Sequence, residues 1–242
     1  MKQFLLPSIV LSAFVVSSAM AADLPIRQPL KAPPQVVVFD WSGLYIGGHI
    51  GYGYGETDIA DRNLLLPTQR IESDGFLGGV QAGWNYQIGR FVLGAEADYS
   101  YADIKGDVTT TIAATDVSRS STTTWIATAT ARLGYTWDRV MVYSKLGTAF
   151  AQFDYDNNIS VGGASVFSAT ASETRVGWTV GTGIEWAFAG GWSAKAEYNY
   201  MDFGRRTIDF TSVIDGTLAN LDIDQRISVV KAGLNYRFAP LR

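Results

Sequence analysis

The chain repeats one pattern: apolar or aromatic residues at every second position, with polar, acidic or small residues between them. In VLGAEADYSY (Val92–Tyr101), Leu93, Ala95, Ala97, Tyr99 and Tyr101 share one face, while Gly94, Glu96, Asp98 and Ser100 share the other. A period of two marks a strand, whose side chains alternate between its faces. The same alternation runs through Gly43–Tyr54, Gly75–Gln87, Phe91–Ala102, Thr123–Trp137, Val140–Phe153, Thr174–Phe188, Trp192–Phe203 and Arg226–Phe238. No stretch of comparable length carries a helical period. The pattern predicts eight strands.

The connections alternate too. IGR, DR and AGG join the second strand to the third, the fourth to the fifth and the sixth to the seventh, and are tight hairpin turns. The other connections are long and polar: Gly55–Asp74, Asp103–Thr122, Asp154–Glu173 and Gly204–Gln225. In a meander, the short turns then gather at one end and four long loops at the other, as in outer-membrane barrels.

Alternation alone does not say which face is inside. On the apolar face, Trp84, Tyr86, Phe91, Tyr135, Trp137, Trp186, Phe188, Trp192, Tyr236 and Phe238 fall near the short turns. Tyr52, Tyr54, Phe76, Tyr99, Tyr101, Trp125, Phe150, Trp178, Tyr198 and Tyr200 fall near the long loops, and aliphatic residues such as Val80, Leu93, Leu146 and Val180 lie between. Two aromatic rings around an aliphatic belt match the two interfaces of a bilayer. A soluble lipocalin-like core has no reason to sort aromatics by height. The opposite face holds Glu96, Asp98, Arg132, Lys145, Arg175, Glu185, Lys195, Glu197, Lys231 and Arg237 among many glycines, a mixture that suits a narrow lumen of paired charges. Slipping the register by one would put those charges in lipid, at about 2–4 kcal/mol for each Arg or Lys near the midplane. The predicted fold is all-β: an eight-stranded antiparallel up-and-down transmembrane β-barrel.

Composition narrows the chemistry. The 242 residues include no cysteine, which excludes disulfides, thiol catalysis and Cys-ligated zinc. A net charge of −4 gives no basic footprint for nucleic acid. The N-terminus, with Lys2, an apolar run from Phe4 to Val16 and the small-residue site Ala19-Met20-Ala21, reads as a cleaved secretory signal over 1–21. Residues 22–40 read as a Pro-rich periplasmic linker, 41–238 as the barrel and 239–242 as a C-terminal tail.

The last strand, KAGLNYRF, places Lys231, Gly233, Tyr236 and Phe238 in a pattern that resembles the C-terminal assembly signal of bacterial outer-membrane barrels. FDWSGLYIGGHIGYGYG (Phe39–Gly55) and GGVQAGWNYQIGRFVLGAEADYSY (Gly78–Tyr101) resemble the small alphaproteobacterial outer-membrane proteins, which include immunogenic and haem-binding members. That resemblance spans Trp41–Phe238. It implies residence in the bacterial outer membrane, lipid and lipopolysaccharide as surroundings, and the barrel-assembly machinery as an insertion partner.

Little else points to chemistry. His49 is the only histidine, on the polar face of the first strand. The resemblance makes it a candidate haem ligand, set against a plain place in a lumen hydrogen-bond network. A lone mid-strand histidine is badly placed for general-base catalysis at a membrane rim. Asp154–Asn158, DYDNN, offers oxygens to calcium but reads as a solvated loop. No catalytic residue, metal site or resident cofactor is expected. The expected role is non-enzymatic: envelope integrity and surface exposure of loops to environment or host, with host surface molecules as candidate partners. A small pore, haem uptake and loop-mediated adhesion are the alternatives.

Overall fold

The computed structural model describes residues 39–61, 69–112, 115–211 and 218–238. The signal segment, most of the linker and the C-terminal tail lie outside the described residues. The strands are β1 (Gly43–Asp61), β2 (Gln69–Ile88), β3 (Phe91–Ile112), β4 (Thr115–Trp137), β5 (Val140–Val161), β6 (Ala164–Ala189), β7 (Trp192–Thr211) and β8 (Leu218–Arg237). Each pairs antiparallel with the next, and β8 closes on β1 from Tyr45↔Arg237 to Asp61↔Leu221. The eight-stranded up-and-down barrel is therefore the fold.

The short turns follow from their residues. Gly89, Asp138, Gly190 and Gly191 take φ of +62°, +53°, +52° and +90°. Such left-handed positions match the twist of a hairpin and favour Gly and Asp.

Across the membrane belt the polar face is inside. Val80 is 63% and Phe76 76% exposed on the outer surface, whereas Lys145 and Glu96 are buried. From Phe76 to Tyr86, at about 3.3 Å per residue and a tilt of about 40°, the belt rises about 25 Å, the height of a bilayer's apolar band. Aromatic pairs mark its two margins: Tyr52 against Phe76 at 4.9 Å and Tyr99 against Trp125 at 6.1 Å on one, Tyr135 against Trp137 at 4.7 Å and Trp192 against Tyr236 at 5.2 Å on the other. Among the described residues, no Asp, Glu, Lys or Arg faces outward between these margins.

The four long connections are mostly strand, not loop. Above the upper aromatic ring the alternation continues with its faces exchanged. Ile59, Ile71, Ile104, Phe153, Tyr155, Phe203, Leu221, Ile223 and Ile227 point inward and form an apolar core. Glu56, Asp58, Arg70, Glu72, Asp103 and Lys105 point outward on the same strands. A segment whose solvent face is charged reads as a loop to anyone seeking an apolar outer face, so these stretches were expected to be irregular. Asp154 and Asp156 accordingly lie on β5 rather than in a loop, and Ser172 donates to Asp154 at 2.6 Å.

The ladders divide at the same height. β2 and β3 pair only up to Asp74↔Lys105, and β6 and β7 only up to Trp178↔Asp202. The other ladders continue toward the strand tips. Above the belt the barrel thus becomes two four-stranded sheets, β3-β4-β5-β6 and β7-β8-β1-β2, face to face across the apolar core. Phe153 meets Phe203 edge-on at 5.2 Å across that interface, and Arg175 Nη1 donates to the Ile223 carbonyl at 3.0 Å. A bulge in β3 between Tyr101 and Ile104 and one in β4 between Thr123 and Trp125 accompany the change of shape.

Candidate functional site

The site most worth building is the lumen at membrane height. Alternate residues of every strand point into it, and glycines make room for large neighbours. Tyr45 of β1 lies opposite Gly83 of β2, which lies opposite Glu96 of β3. The Tyr45 hydroxyl crosses Gly83 and donates to Glu96 at 2.8 Å. The same device recurs half-way round. Tyr143 of β5 lies opposite Gly183 of β6, which lies opposite Glu197 of β7, and the Tyr143 hydroxyl donates to Glu197 at 2.8 Å. A Cβ at either glycine would collide with the tyrosine hydroxyl.

Around these two joints lie four carboxylates and four cations, counted among the described residues. Lys145 Nζ is 3.1 Å from Glu96 and 2.6 Å from Glu197. Lys195 Nζ is 3.1 Å from Glu96 and 3.3 Å from Glu197. Lys231 reaches Asp98 at 2.8 Å, with Lys145 3.9 Å from the same carboxylate. Arg132 pairs with Glu185, approaches Glu96 at 4.0 Å and stacks 3.6 Å over the Tyr143 ring. Ser193 and Asn235 donate to Glu185 at 2.5 and 2.9 Å. The set is electrically neutral and out of water. A buried charge is tolerable only when paired and hydrogen-bonded.

Two residues assigned to this network sit elsewhere. Arg175 is fully buried in the outer apolar core, 3.2 Å from Glu173 and beside the rings of Phe153 and Tyr155. Arg237 lies at the short-turn end, over the Phe39 ring at 4.2 Å and bonded to the Asp40 carbonyl, because it is the last residue of β8 and sits at the lumen's lower mouth, below the charge network. Sequence reading missed the partners Tyr45, Tyr143, Gln81, Ser193, Asn199 and Asn235. Their inward parity was the available signal.

His49 is 6% exposed. Its Nδ1 bonds Gln81, its Nε2 lies 2.8 Å from the Ser100 hydroxyl, and Gln81 passes the chain on to Asn235 at 2.7 Å. With both ring nitrogens engaged inside a filled lumen, the residues present do not fit a haem. The C-terminal residues have structural partners as well. Lys231 holds Asp98, Gly233 sits against the Gly48 carbonyl, and Tyr236 lies between Trp192, tilted against it, and Phe238, edge-on to it. Phe238 N donates to the Leu44 carbonyl at 2.9 Å and extends the closing seam.

The lower mouth is plugged. Phe39 and Trp41, the former within the segment read as linker, pack with Val92, Met141, Tyr143 and Ala187. Trp41 N donates to Gln87 at 2.7 Å and its indole to the Asp138 carbonyl at 3.1 Å. One void remains above this plug and another lies in the outer core beside Arg119 and Asn157, each of about 10 Å³. That is about the room of one water. The arrangement supports a rigid, sealed cylinder.

Comparison with known proteins agrees with this geometry. The family model for the outer membrane protein beta-barrel domain matches residues 9–238. The chain belongs to that family. A 31 kDa outer-membrane immunogenic protein of Brucella melitensis biotype 1 is 34% identical over 249 residues, covering 98% of this chain and 100% of the relative. A 25 kDa outer-membrane immunogenic protein of Brucella abortus biovar 1 is 28% identical over 229 residues, with 92% of each covered. A 22 kDa outer membrane protein of Rhizobium leguminosarum bv. viciae is 28% identical, covering 71% of this chain and 69% of the relative. Among solved structures, Neisserial surface protein A matches 81% of this chain and 98% of its own at 18% identity and a TM-score of 0.37. As a member of the outer-membrane barrel family, the protein resides in the bacterial outer membrane, its belt surrounded by lipid and lipopolysaccharide. In barrels of this kind the short turns generally lie on the periplasmic side and the opposite end faces outward.

Proposed function

We propose that this barrel is a non-enzymatic envelope protein that reinforces the outer membrane and presents its two outer sheets to environment or host. The observation that carries this reading is the lumen: eight neutralising charges, two tyrosine–glycine joints and a Trp41 plug fill it. A filled lumen favours rigidity over transport. The same filling argues against the pore and haem readings. Under this proposal residues 1–21 direct export and 22–38 form a periplasmic tether. The assembly machinery reads Lys231, Gly233, Tyr236 and Phe238 before they take up their places in the wall.

Cysteine labelling on intact cells tests the presentation. Val166→Cys, near the β5–β6 tip, should react with a membrane-impermeant maleimide, and Arg139→Cys, in a short turn, only after permeabilisation. The opposite pattern overturns the orientation. Deleting the gene should sensitise cells to detergent. Unchanged sensitivity would refute the envelope role and leave the presentation reading to stand or fall on the labelling.

A further inference from the structure

The β6–β7 seam is the exceptional place in the outer sheets. β6 is hydrogen-bonded to β5 along its upper length, from Val161↔Ala164 downward. Toward β7 its ladder starts only at Trp178↔Asp202. At that point Asp202 caps the Gly204 amide at 2.8 Å, Gly204 takes φ +65°, and β7 turns away to pair with β8 alone. Above Gly177, among the described residues, Arg206 and Glu173 form an ion pair across the seam at 3.2 Å. The companion seam differs. β2 has only Gln69–Ser73 above its last pair with β3, and a Cβ at Gly106 would strike the Glu72 carbonyl, so that gap is short and tight.

The edge left open on β6 reads ASVFSATAS, Ala164–Ser172. Proteins guard such edges with Lys, Pro or bulges; here there is no charge and no proline, and the bulge at Val166, where Ile159↔Phe167 gives way to Ser160↔Ser165, leaves Phe167–Ser172 in unbroken register. On its inner side Ala169 is buried, but Phe167 and Ala171 are only partly covered by the core they touch. Among the described residues no strand pairs with this side of β6, and half-covered apolar side chains run along the same edge.

We propose that the Ala164–Ser172 edge of β6 receives an extended segment of a partner protein by strand addition. The segment would alternate apolar residues, which complete the cover over Phe167 and Ala171, with hydroxyl residues beside Ser168, Thr170 and Ser172. An uncharged edge gives a charged strand nothing to pair with, and proline would interrupt the ladder. A second copy in the same membrane does not fit. Barrels standing side by side lean their facing strands in opposite senses, so edges inclined about 40° to the normal cross at about 80° instead of pairing. The partner thus comes from outside the cell. This inference rests on the outward orientation proposed above, but its test does not.

The test uses the mature protein in nanodiscs and amide hydrogen exchange read residue by residue. The probe is a synthetic peptide alternating valine and threonine, flanked by lysines for solubility. Its control carries methyl groups on alternate backbone nitrogens, in each of the two phases. The expected result is about ten-fold slower exchange at alternate amides within Phe167–Ser172, below the Val166 bulge, produced by the plain peptide and abolished by one methylation phase. Exchange that is already slow without peptide would mean the edge is covered, and would overturn the proposal. So would the absence of protection, protection that survives both methylations, or protection spread over β3 as strongly as β6. Failure here with outward labelling of Val166→Cys intact would refute strand addition alone.

Discussion

Glu96 lies within 4.0 Å of three cations, more than any other lumen carboxylate among the described residues, and replacing it with glutamine tests whether charge balance holds the lumen. Glu96→Gln keeps the volume and removes one of four negative charges. Lys145 and Lys195 each lose a contact at 3.1 Å, Arg132 loses one at 4.0 Å, and the Tyr45 hydroxyl loses a charged acceptor. Both lysines keep Glu197, at 2.6 and 3.3 Å, and Arg132 keeps Glu185. One positive charge is nevertheless left over in a space without water. Breaking a buried pair by removing one partner costs about 3–5 kcal/mol, and the retained Glu197 contacts place the expected loss near 3 kcal/mol. Adding Lys195→Met restores neutrality and fills the same volume. The double variant should return to within about 1 kcal/mol of the parent, so the second change stabilises instead of adding damage. Urea unfolding from lipid vesicles, followed by tryptophan fluorescence, measures both. If Glu96→Gln lies within about 0.5 kcal/mol of the parent, or if the two losses simply add, charge balance is not what holds the lumen.

Gly83→Ala and Gly183→Ala should each lose about 1–3 kcal/mol by overpacking, because the new Cβ meets a tyrosine hydroxyl and a strand carbonyl; the same unfolding assay reads it, and Gly48→Ala, where only the Gly79 carbonyl lies near at 3.6 Å, should be close to neutral. Ala95→Arg, in the lipid belt, should cost about 2–4 kcal/mol, whereas Thr170→Arg, on the exposed wall of β6 above the belt, should stay within about 0.5 kcal/mol; equal effects would contradict the placement of the membrane. Phe153→Ala, in the outer core, should cost about 3–5 kcal/mol, and a negligible loss would mean the two sheets do not pack as described. In planar bilayers the purified protein should show no stable channel, and steady conductance steps would refute the sealed lumen.

The belt was readable because it obeys one rule over its whole height. Leu93, Ala95 and Ala97 turn outward, Glu96 and Asp98 inward, and each strand in the bilayer repeats the choice. The outer half was not readable by that rule. Ile59 and Ile71 are flanked by Glu56, Asp58, Arg70 and Glu72, which is ordinary alternation for a water-facing sheet but the reverse of the belt. Phase also misleads locally: the β4 bulge at Thr123/Trp125 moves the inward set from Thr128 and Ile126 to Thr123 and Ser121. Lumen residues were found by parity and charge, which is why Lys145 was legible and the neutral Tyr45, Gln81 and Asn235 were not. Arg237 shares that parity, but parity carries no information about where a lumen ends.

The exchange of faces above the belt has an evolutionary consequence. Side chains on the outer walls of the two sheets, such as Glu56, Arg70, Thr170 and Ser172, do no packing for the core beneath them, and a typical surface substitution costs no more than about 0.5 kcal/mol. The outer walls are therefore where sequence can drift with least penalty, while the ionic lumen that fixes the architecture is the part least free to change.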